Sequence, residues 1–244
     1  MRITEILTET VADDHLINRT ARLVADDLIR NFKMEVRRAS EAFKQGNDTY
    51  GISRLAYFNP ELKTTESNPV AQGLGDTLLY IAEPSFQDNW QAVSYPPGKG
   101  NSIGVIYLNW QYFEDAIDDP ESLRPWLVEK LTHEIRHILD GVKQQGLSRQ
   151  TAYWKKPQIN DEPDTTASEI NAYFTQILHT VEDTIKSNNI TDVNGALQIG
   201  QEALKDSQLV DVIIGGWDNN NPVLKRLSAR MAQFVHSLLD KPKK

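Results

Sequence analysis

Two histidines and a glutamate stand close together in residues 131–141, LTHEIRHILDG. His133 and His137 are four residues apart, so on a helix their side chains lie one turn apart on the same face. At that spacing both imidazoles can bind one metal ion, and Glu134 can reach a water molecule held by that ion. The alternative is that two histidines share a helix by chance, and the surrounding sequence must decide between these interpretations.

The residues around this motif predict a helix over 121–142. Asp119-Pro120 and Glu121 suit a helix start, and Asp140-Gly141 suits its end. The histidines fall on the flank of an apolar stripe, where they would line the floor of a cleft. The residues of the stripe recur at spacings of three and four: Leu127, Leu131, Ile135, Ile138 and Val142.

A catalytic zinc usually has three protein ligands and one open position for water, so a third ligand is needed. The metzincin pattern would require the third ligand, a histidine, at Lys143, which excludes that family. A second helix, predicted over 167–186, carries Glu169 near its start and at the edge of its apolar stripe. The acidic segment before this helix is typical of a helix cap, but it also offers alternative ligands: Asp161, Glu162 and Asp164.

The motif resembles that of the gluzincins, the HExxH metallopeptidases in which a glutamate from a following helix completes the metal site. The matching residues are His133, Glu134, His137 and Glu169, and the resemblance spans residues 102–186. It implies one Zn²⁺ bound by the two histidines and Glu169, and endopeptidase activity on a peptide or protein substrate. In that mechanism zinc lowers the pKa of a bound water, and Glu134 acts as general base and then as general acid.

The resemblance also implies residues that support the metal and the reaction. A common gluzincin pattern has an aspartate one turn after the third ligand, where this chain has Tyr173. Asp140, three residues past His137, is therefore expected to orient a histidine, with Tyr173 as a further neighbour of the ligands. Tyr153 is expected to stabilise the oxyanion of the tetrahedral intermediate, with Tyr173 and His179 as alternatives.

Three strands are predicted before the metal helix, over 77–82, 91–95 and 103–109, because these segments are rich in Val, Ile, Leu and Tyr. In zincin peptidases the strand just before this helix is commonly the sheet edge on which an extended substrate pairs. The resemblance therefore implies that residues 104–110 form this edge; the alternative is an interior strand. Four residues of this segment would then contact the substrate: Gly104, Val105, Tyr107 and Trp110.

The element order and the resemblance together indicate an α+β, zincin-like fold, with a small mixed or antiparallel sheet of about three to five strands packed on the metal helix. A long N-terminal helix is predicted over 14–45, a further strand over 52–58, and later helices with caps at Thr191 or Asp192 and at Asn221. We expect one catalytic domain over 1–240, consisting of an N-terminal helix (1–46), a catalytic core (76–188) and C-terminal helices (191–240), followed by a disordered tail at 241–244.

Composition and charge narrow the function further. The 244 residues include no cysteine, which excludes disulfides and cysteine-based metal sites and fits a reducing compartment. The net charge of -8 argues against a nucleic-acid-binding surface. No stretch has the apolar length of a signal peptide or a membrane span, so we expect a soluble, cytoplasmic protein without a membrane partner. The alternative function is a catalytically inactive structural or interaction protein of zincin fold, whose metal is structural.

Overall fold

The computed structural model describes residues 11–63, 69–86, 90–97, 103–147 and 167–239. The chain divides into two compact units: Ile17–Thr151 forms the sheet unit, and Met1–Leu16 with Ala152–Lys244 forms the helical unit. The α+β class is confirmed, and no described helix is long and apolar enough to cross a membrane. The single catalytic domain over 1–240 stays a prediction, and the tail at 241–244 lies outside the described residues.

The N-terminal helical region consists of two helices rather than the one that the sequence predicts. Helix α1 spans Val11–Arg30 and helix α2 spans Phe32–Lys44. Between them Asn31 leaves helical geometry, with φ -100° and ψ 11°, and its side-chain amide donates a hydrogen bond to Asp27 Oδ2 (3.1 Å). Asparagine is a weak helix former, so it favours a break that the apolar spacing does not reveal.

Four short strands form one mixed sheet: β1 (Thr49–Arg54), β2 (Leu78–Ala82), β3 (Ala92–Tyr95) and β4 (Val105–Asn109). Their order in the sheet is β1-β2-β4-β3, with β2 parallel to β4 and both outer strands antiparallel to their neighbours. The strand predicted over 52–58 ends at Arg54, because Leu55–Phe58 forms a short helix, α3. Another short helix, α4 (Pro69–Gly75), precedes β2.

The sheet buries one of its faces. Tyr80 of β2 and Tyr107 of β4 are half-buried. The side chains directly before and after each tyrosine point to the opposite face of the sheet, which is the core face, and are buried. This period of two is what strand geometry produces when one face is covered. The core face of the two strands carries side chains that are at most 1% exposed: Leu79, Ile81, Ile106 and Leu108.

The motif helix, α6, spans Arg124–Leu147 and packs on β3 and β4. It begins after a 3-10 turn at Pro120–Leu123 and continues past Gly141, where the sequence predicts its end. Gly141 lies inside the helix because Pro96 packs against its bare Cα: a Cβ there would come within 2.3 Å of Pro96 Cβ. This glycine therefore permits a close approach of helix and strand rather than ending the helix.

Contacts near both ends of α6 set its direction. Gly104, just before β4, faces Ile138, to whose Cδ1 an added Cβ would lie 3.0 Å away. Near the start of α6, Trp126 stacks on Tyr112 of α5 (Trp110–Asp115), the helix that follows β4, with ring centroids 4.3 Å apart. Helix α6 therefore runs antiparallel to β4 on the core face of the sheet, and its motif turns lie between these two contacts.

Replacing Gly141 by alanine is expected to destabilise the sheet unit by about 1–2 kcal/mol. Overlap with Pro96 costs about 1–3 kcal/mol, while the better helix propensity of alanine returns at most about 1 kcal/mol. Urea unfolding followed by circular dichroism measures the loss. In a Pro96→Gly background the same change should cost little, and an equal cost in both backgrounds would contradict the contact.

The helical unit contains α7 (Ala167–Ser187), α8 (Val193–Lys205), a π-helical segment (Leu209–Ile214) and α9 (Pro222–Leu239). Of the alternative caps Thr191 and Asp192, the structure uses Asp192, whose Oδ1 accepts a hydrogen bond from the Gly195 N–H (2.8 Å). The predicted cap at Asn221 is confirmed, since its Oδ1 accepts a hydrogen bond from the Val223 N–H (2.8 Å). The apolar faces of these helices enclose one core, which includes Phe174, Leu178, Val181, Ala196, Leu204, Val210, Leu227 and Phe234.

Candidate metal centre

His133 and His137 converge on one point beside α6. Their Nε2 atoms are 3.0 Å apart, and their rings meet edge to face with centroids 4.7 Å apart. Both side chains are half-buried, which follows from their place on the flank of the apolar stripe of the helix. The helix alone accounts for the convergence, because residues i and i+4 are neighbours on a helical surface.

The separation of the two Nε2 atoms suits a shared metal ion. Two nitrogens bound tetrahedrally to zinc at about 2.0–2.1 Å would lie about 3.3–3.4 Å from each other. The observed 3.0 Å is within a few tenths of an ångström of that value. The same distance suits a hydrogen bond between the two rings when one of them is a neutral acceptor. The distance alone therefore does not distinguish a metal site from a hydrogen bond, and a third ligand is needed as evidence for the metal site.

Glu169 supplies a third group. It lies in the first turn of α7 and is half-buried. Its carboxylate and the two imidazoles offer ligand atoms that all lie within 4.8 Å of one another. Two imidazole nitrogens with one carboxylate oxygen are a ligand set of catalytic zinc, so His133, His137 and Glu169 form a candidate metal site.

A buried ion pair that the sequence analysis did not single out lies on the motif helix. Arg136 is 0% exposed, and its Nε lies 3.0 Å from Asp140 Oδ1. The signal in the sequence is their spacing of four, which is that of an ion pair on one helix. Asp140 thus contacts Arg136, and its role in orienting a histidine stays a prediction.

The other residues predicted around the metal have different outcomes. On α7, Tyr173 packs against the core of the helical unit, and His179 Nε2 lies 3.2 Å from Asp183 Oδ2. The roles of Tyr173 and His179 near the metal or the oxyanion stay predictions. Four further candidates lie outside the described residues: Tyr153, Asp161, Glu162 and Asp164.

The prediction that residues 104–110 form the sheet edge is wrong. Strand β4 lies inside the sheet, with β2 on one side and β3 on the other, so its backbone has no free side for an added strand. The physical reason is that β3 folds back antiparallel on the side of β4 that would otherwise be open. Gly104, Val105, Tyr107 and Trp110 therefore lose the basis on which they were assigned to substrate binding.

Tyr107 and Trp110 pack against other aromatic rings. Trp110 is 8% exposed and packs on two phenylalanine rings. Tyr107 lies between Tyr80 and Tyr95, with ring centroids 5.4 Å and 5.9 Å away. Burial raises the pKa of the Tyr107 hydroxyl, and the neighbouring Tyr80 and Tyr95 raise this pKa further. The hydroxyl therefore stays protonated at neutral pH.

Comparison of the chain with protein-family models, with curated proteins and with solved structures gives no match. A functional conclusion must therefore come from the chemistry of the side chains and their geometry. Two features bear on it: the HExxH spacing on α6, and the grouping of His133, His137 and Glu169.

Proposed function

We propose that the protein is a zinc-dependent metallopeptidase of gluzincin type, an endopeptidase whose zinc is bound by His133, His137 and Glu169. The observation that carries the proposal is that ligand atoms of these three residues lie within 4.8 Å of one another. All three side chains project from helices, which hold ligands more rigidly than loops do. Zinc bound there would supply Lewis acidity to the scissile carbonyl and to a water molecule.

Glu134 is the proposed proton carrier. It adjoins His133 on α6, and its side chain is buried, with 7% of the residue exposed. Its carboxylate would accept the proton of the attacking water and then donate that proton to the amine that leaves. One side chain would thus act first as base and then as acid, and no other described residue is needed for the proton transfer.

Strand β3 replaces β4 as the proposed site of substrate pairing. It is an outer strand of the sheet, and no described strand pairs with its outer side. An extended peptide can add to such an edge through backbone hydrogen bonds, whatever its sequence. Because α6 packs on β3, the added peptide would run along the helix that carries both histidines.

Zinc content tests the proposed site. Wild-type protein, purified without chelator or reconstituted with zinc, should hold about one equivalent of the metal. Glu169→Ala should hold clearly less after dialysis, because two imidazoles alone bind zinc more weakly than the complete set. Asp183→Ala is the matched control, since it removes a largely exposed carboxylate from the same helix and should keep the zinc. Atomic absorption spectroscopy gives the metal content of each variant.

Activity provides the second readout of the same proposal. Cleavage of an unfolded protein substrate should stop when a chelator removes zinc and resume when zinc is restored. Wild-type protein that holds no zinc, even after reconstitution, would overturn the site. Full zinc occupancy without cleavage of any unfolded substrate would overturn the peptidase and support the structural-metal alternative.

A further inference from the structure

The free edge of β3, with which no described strand pairs, presents a defined pattern of backbone groups. The Asn109 N–H donates to the Gln91 carbonyl (3.1 Å), so these residues form a hydrogen-bonded pair where the two antiparallel strands meet. Hydrogen-bonded and non-hydrogen-bonded pairs alternate along such strands, so every second residue from Gln91 directs its backbone at β4. The residues between, Ala92 and Ser94, therefore direct their N–H and C=O groups to the outer side of the sheet.

The side chains of β3 alternate between the two faces of the sheet. Tyr95 is paired with Val105, and Val93 is paired with Tyr107, so these four side chains share one face. The other face is the one on which α6 packs, since Gly104 and Pro96 meet that helix there. A peptide strand added outside β3 would alternate in the same way, and every second side chain would lie on the face of Tyr95.

A row of tyrosines crosses that face and ends at the free edge. Tyr80 of β2, Tyr107 of β4 and Tyr95 of β3 follow one another, with ring centroids 5.4 Å and 5.9 Å apart. Tyr95 is the last ring of the row and is 41% exposed. Strand β3 itself, AVSY, carries no charged side chain. An aromatic or large aliphatic side chain placed next to Tyr95 would extend the row and bury its exposed ring.

We propose that Tyr95 determines substrate specificity, by favouring peptides with an aromatic or large aliphatic side chain directly across from it on the added strand. The proposal rests on the proposed peptidase function and on pairing of the substrate with β3. Aromatic pairs of this kind predict a preference over alanine at that substrate position of roughly two- to tenfold.

The test uses the full chain with zinc and a library of unfolded peptides. Sequencing of the cleavage sites should show one position, at a constant distance from the cut, that is enriched in Phe, Tyr, Trp or Leu. Two peptides that differ only in Phe or Ala at this position are then compared in wild type, Tyr95→Ala and Tyr95→Phe. The ratio of their kcat/KM values should fall to about one in Tyr95→Ala and remain near the wild-type ratio in Tyr95→Phe, which keeps the ring.

Binding gives a readout that is independent of turnover. Fluorescence anisotropy of the two labelled peptides with zinc-loaded Glu134→Gln measures their dissociation constants. The Phe peptide should bind more tightly than the Ala peptide, by about the same factor as in the kcat/KM comparison, and the double variant with Tyr95→Ala should bind both peptides equally. Tyr57→Ala is the matched control, because Tyr57 is another exposed tyrosine, 63% exposed on α3, and its removal should leave the ratio unchanged.

The outcomes separate this inference from the function on which it rests. Cleavage and binding with a preference that survives Tyr95→Ala would overturn the role of Tyr95 alone. Absence of both cleavage and peptide binding in zinc-loaded protein would overturn the peptidase and the specificity together. A dimer that dissociates on Tyr95→Ala, with no peptide bound, would assign the edge of β3 to a second copy of the chain and likewise overturn the inference.

Discussion

Changing Glu134 to glutamine is expected to lower the rate of peptide hydrolysis by about 10²–10⁴-fold, the usual contribution of general acid–base catalysis. The amide keeps the size and shape of the carboxylate but cannot accept the proton. Glu134 is not among the three proposed ligands, so zinc content should stay at about one equivalent. Because only 7% of Glu134 is exposed, solvent has little access to replace the lost base.

Steady-state cleavage of an unfolded protein, measured beside zinc content, checks this expectation. Glu129→Gln is the matched control: it makes the same chemical change on the same helix, at a side chain that is 53% exposed and contacts Lys130. That control should cleave at the wild-type rate. Near-normal turnover by Glu134→Gln would remove Glu134 from the mechanism, and loss of zinc from Glu134→Gln would show that it helps to hold the metal.

Replacing Asp14 by alanine is expected to destabilise the helical unit by about 3–5 kcal/mol, the usual cost of leaving one partner of a buried ion pair unpaired. Asp14 is 0% exposed, and both of its oxygens accept hydrogen bonds from the Arg230 guanidinium, one of them from Nε at 3.1 Å. The same guanidinium lies 5.1 Å from the ring centroid of Phe174. The pair therefore ties the first turn of α1 to α7 and α9, and its loss leaves a buried cation.

Urea unfolding of the two variants Asp14→Ala and Glu41→Ala provides the comparison. Glu41 pairs with Arg37 on α2 at 3.9 Å, with side chains 62% and 72% exposed, so its removal should cost less than about 0.5 kcal/mol. In the double variant Asp14→Leu with Arg230→Met, much of the stability lost in Asp14→Ala should return, because no buried charge remains unpaired. A loss below about 1 kcal/mol for Asp14→Ala would show that the pair is solvated in solution.

Interactions between residues close in sequence determine what can be predicted of this site without a structure. The spacing of four on an amphipathic helix is sufficient to bring His133 and His137 together, because residues i and i+4 are neighbours on one face of a helix. The caps at Asp192 and Asn221 are equally local, since each side chain bonds to a backbone N–H within three residues. The positions of β2, β3 and β4 also follow from local composition, whereas that of β1 does so only in part.

The third ligand can be predicted only in part from the sequence. Helical periodicity places Glu169 at the edge of an apolar stripe, but Asp161, Glu162 and Asp164 have the same chemistry and are closer to His137 in sequence. The structure places a carboxylate oxygen of Glu169 within 4.8 Å of the ligand atoms of both histidines, whereas Asp161, Glu162 and Asp164 lie outside the described residues. Sequence therefore nominates several ligands, and the distances in the structure support Glu169 as one of them.

Contacts between distant residues decide the rest. The segment Gly104–Trp110 reads equally well as an edge or an interior strand, because the two differ only in whether β3 pairs with β4. The sequence predicts that Gly141 ends the helix, but in the structure it lies inside α6, where its lack of a side chain makes room for Pro96. Arg136 and Asp14 look like ordinary charged residues of helices until their burial is known. Composition and spacing determined the metal motif and the elements that carry it, whereas strand order and buried ion pairs depend on long-range packing, which local sequence does not encode.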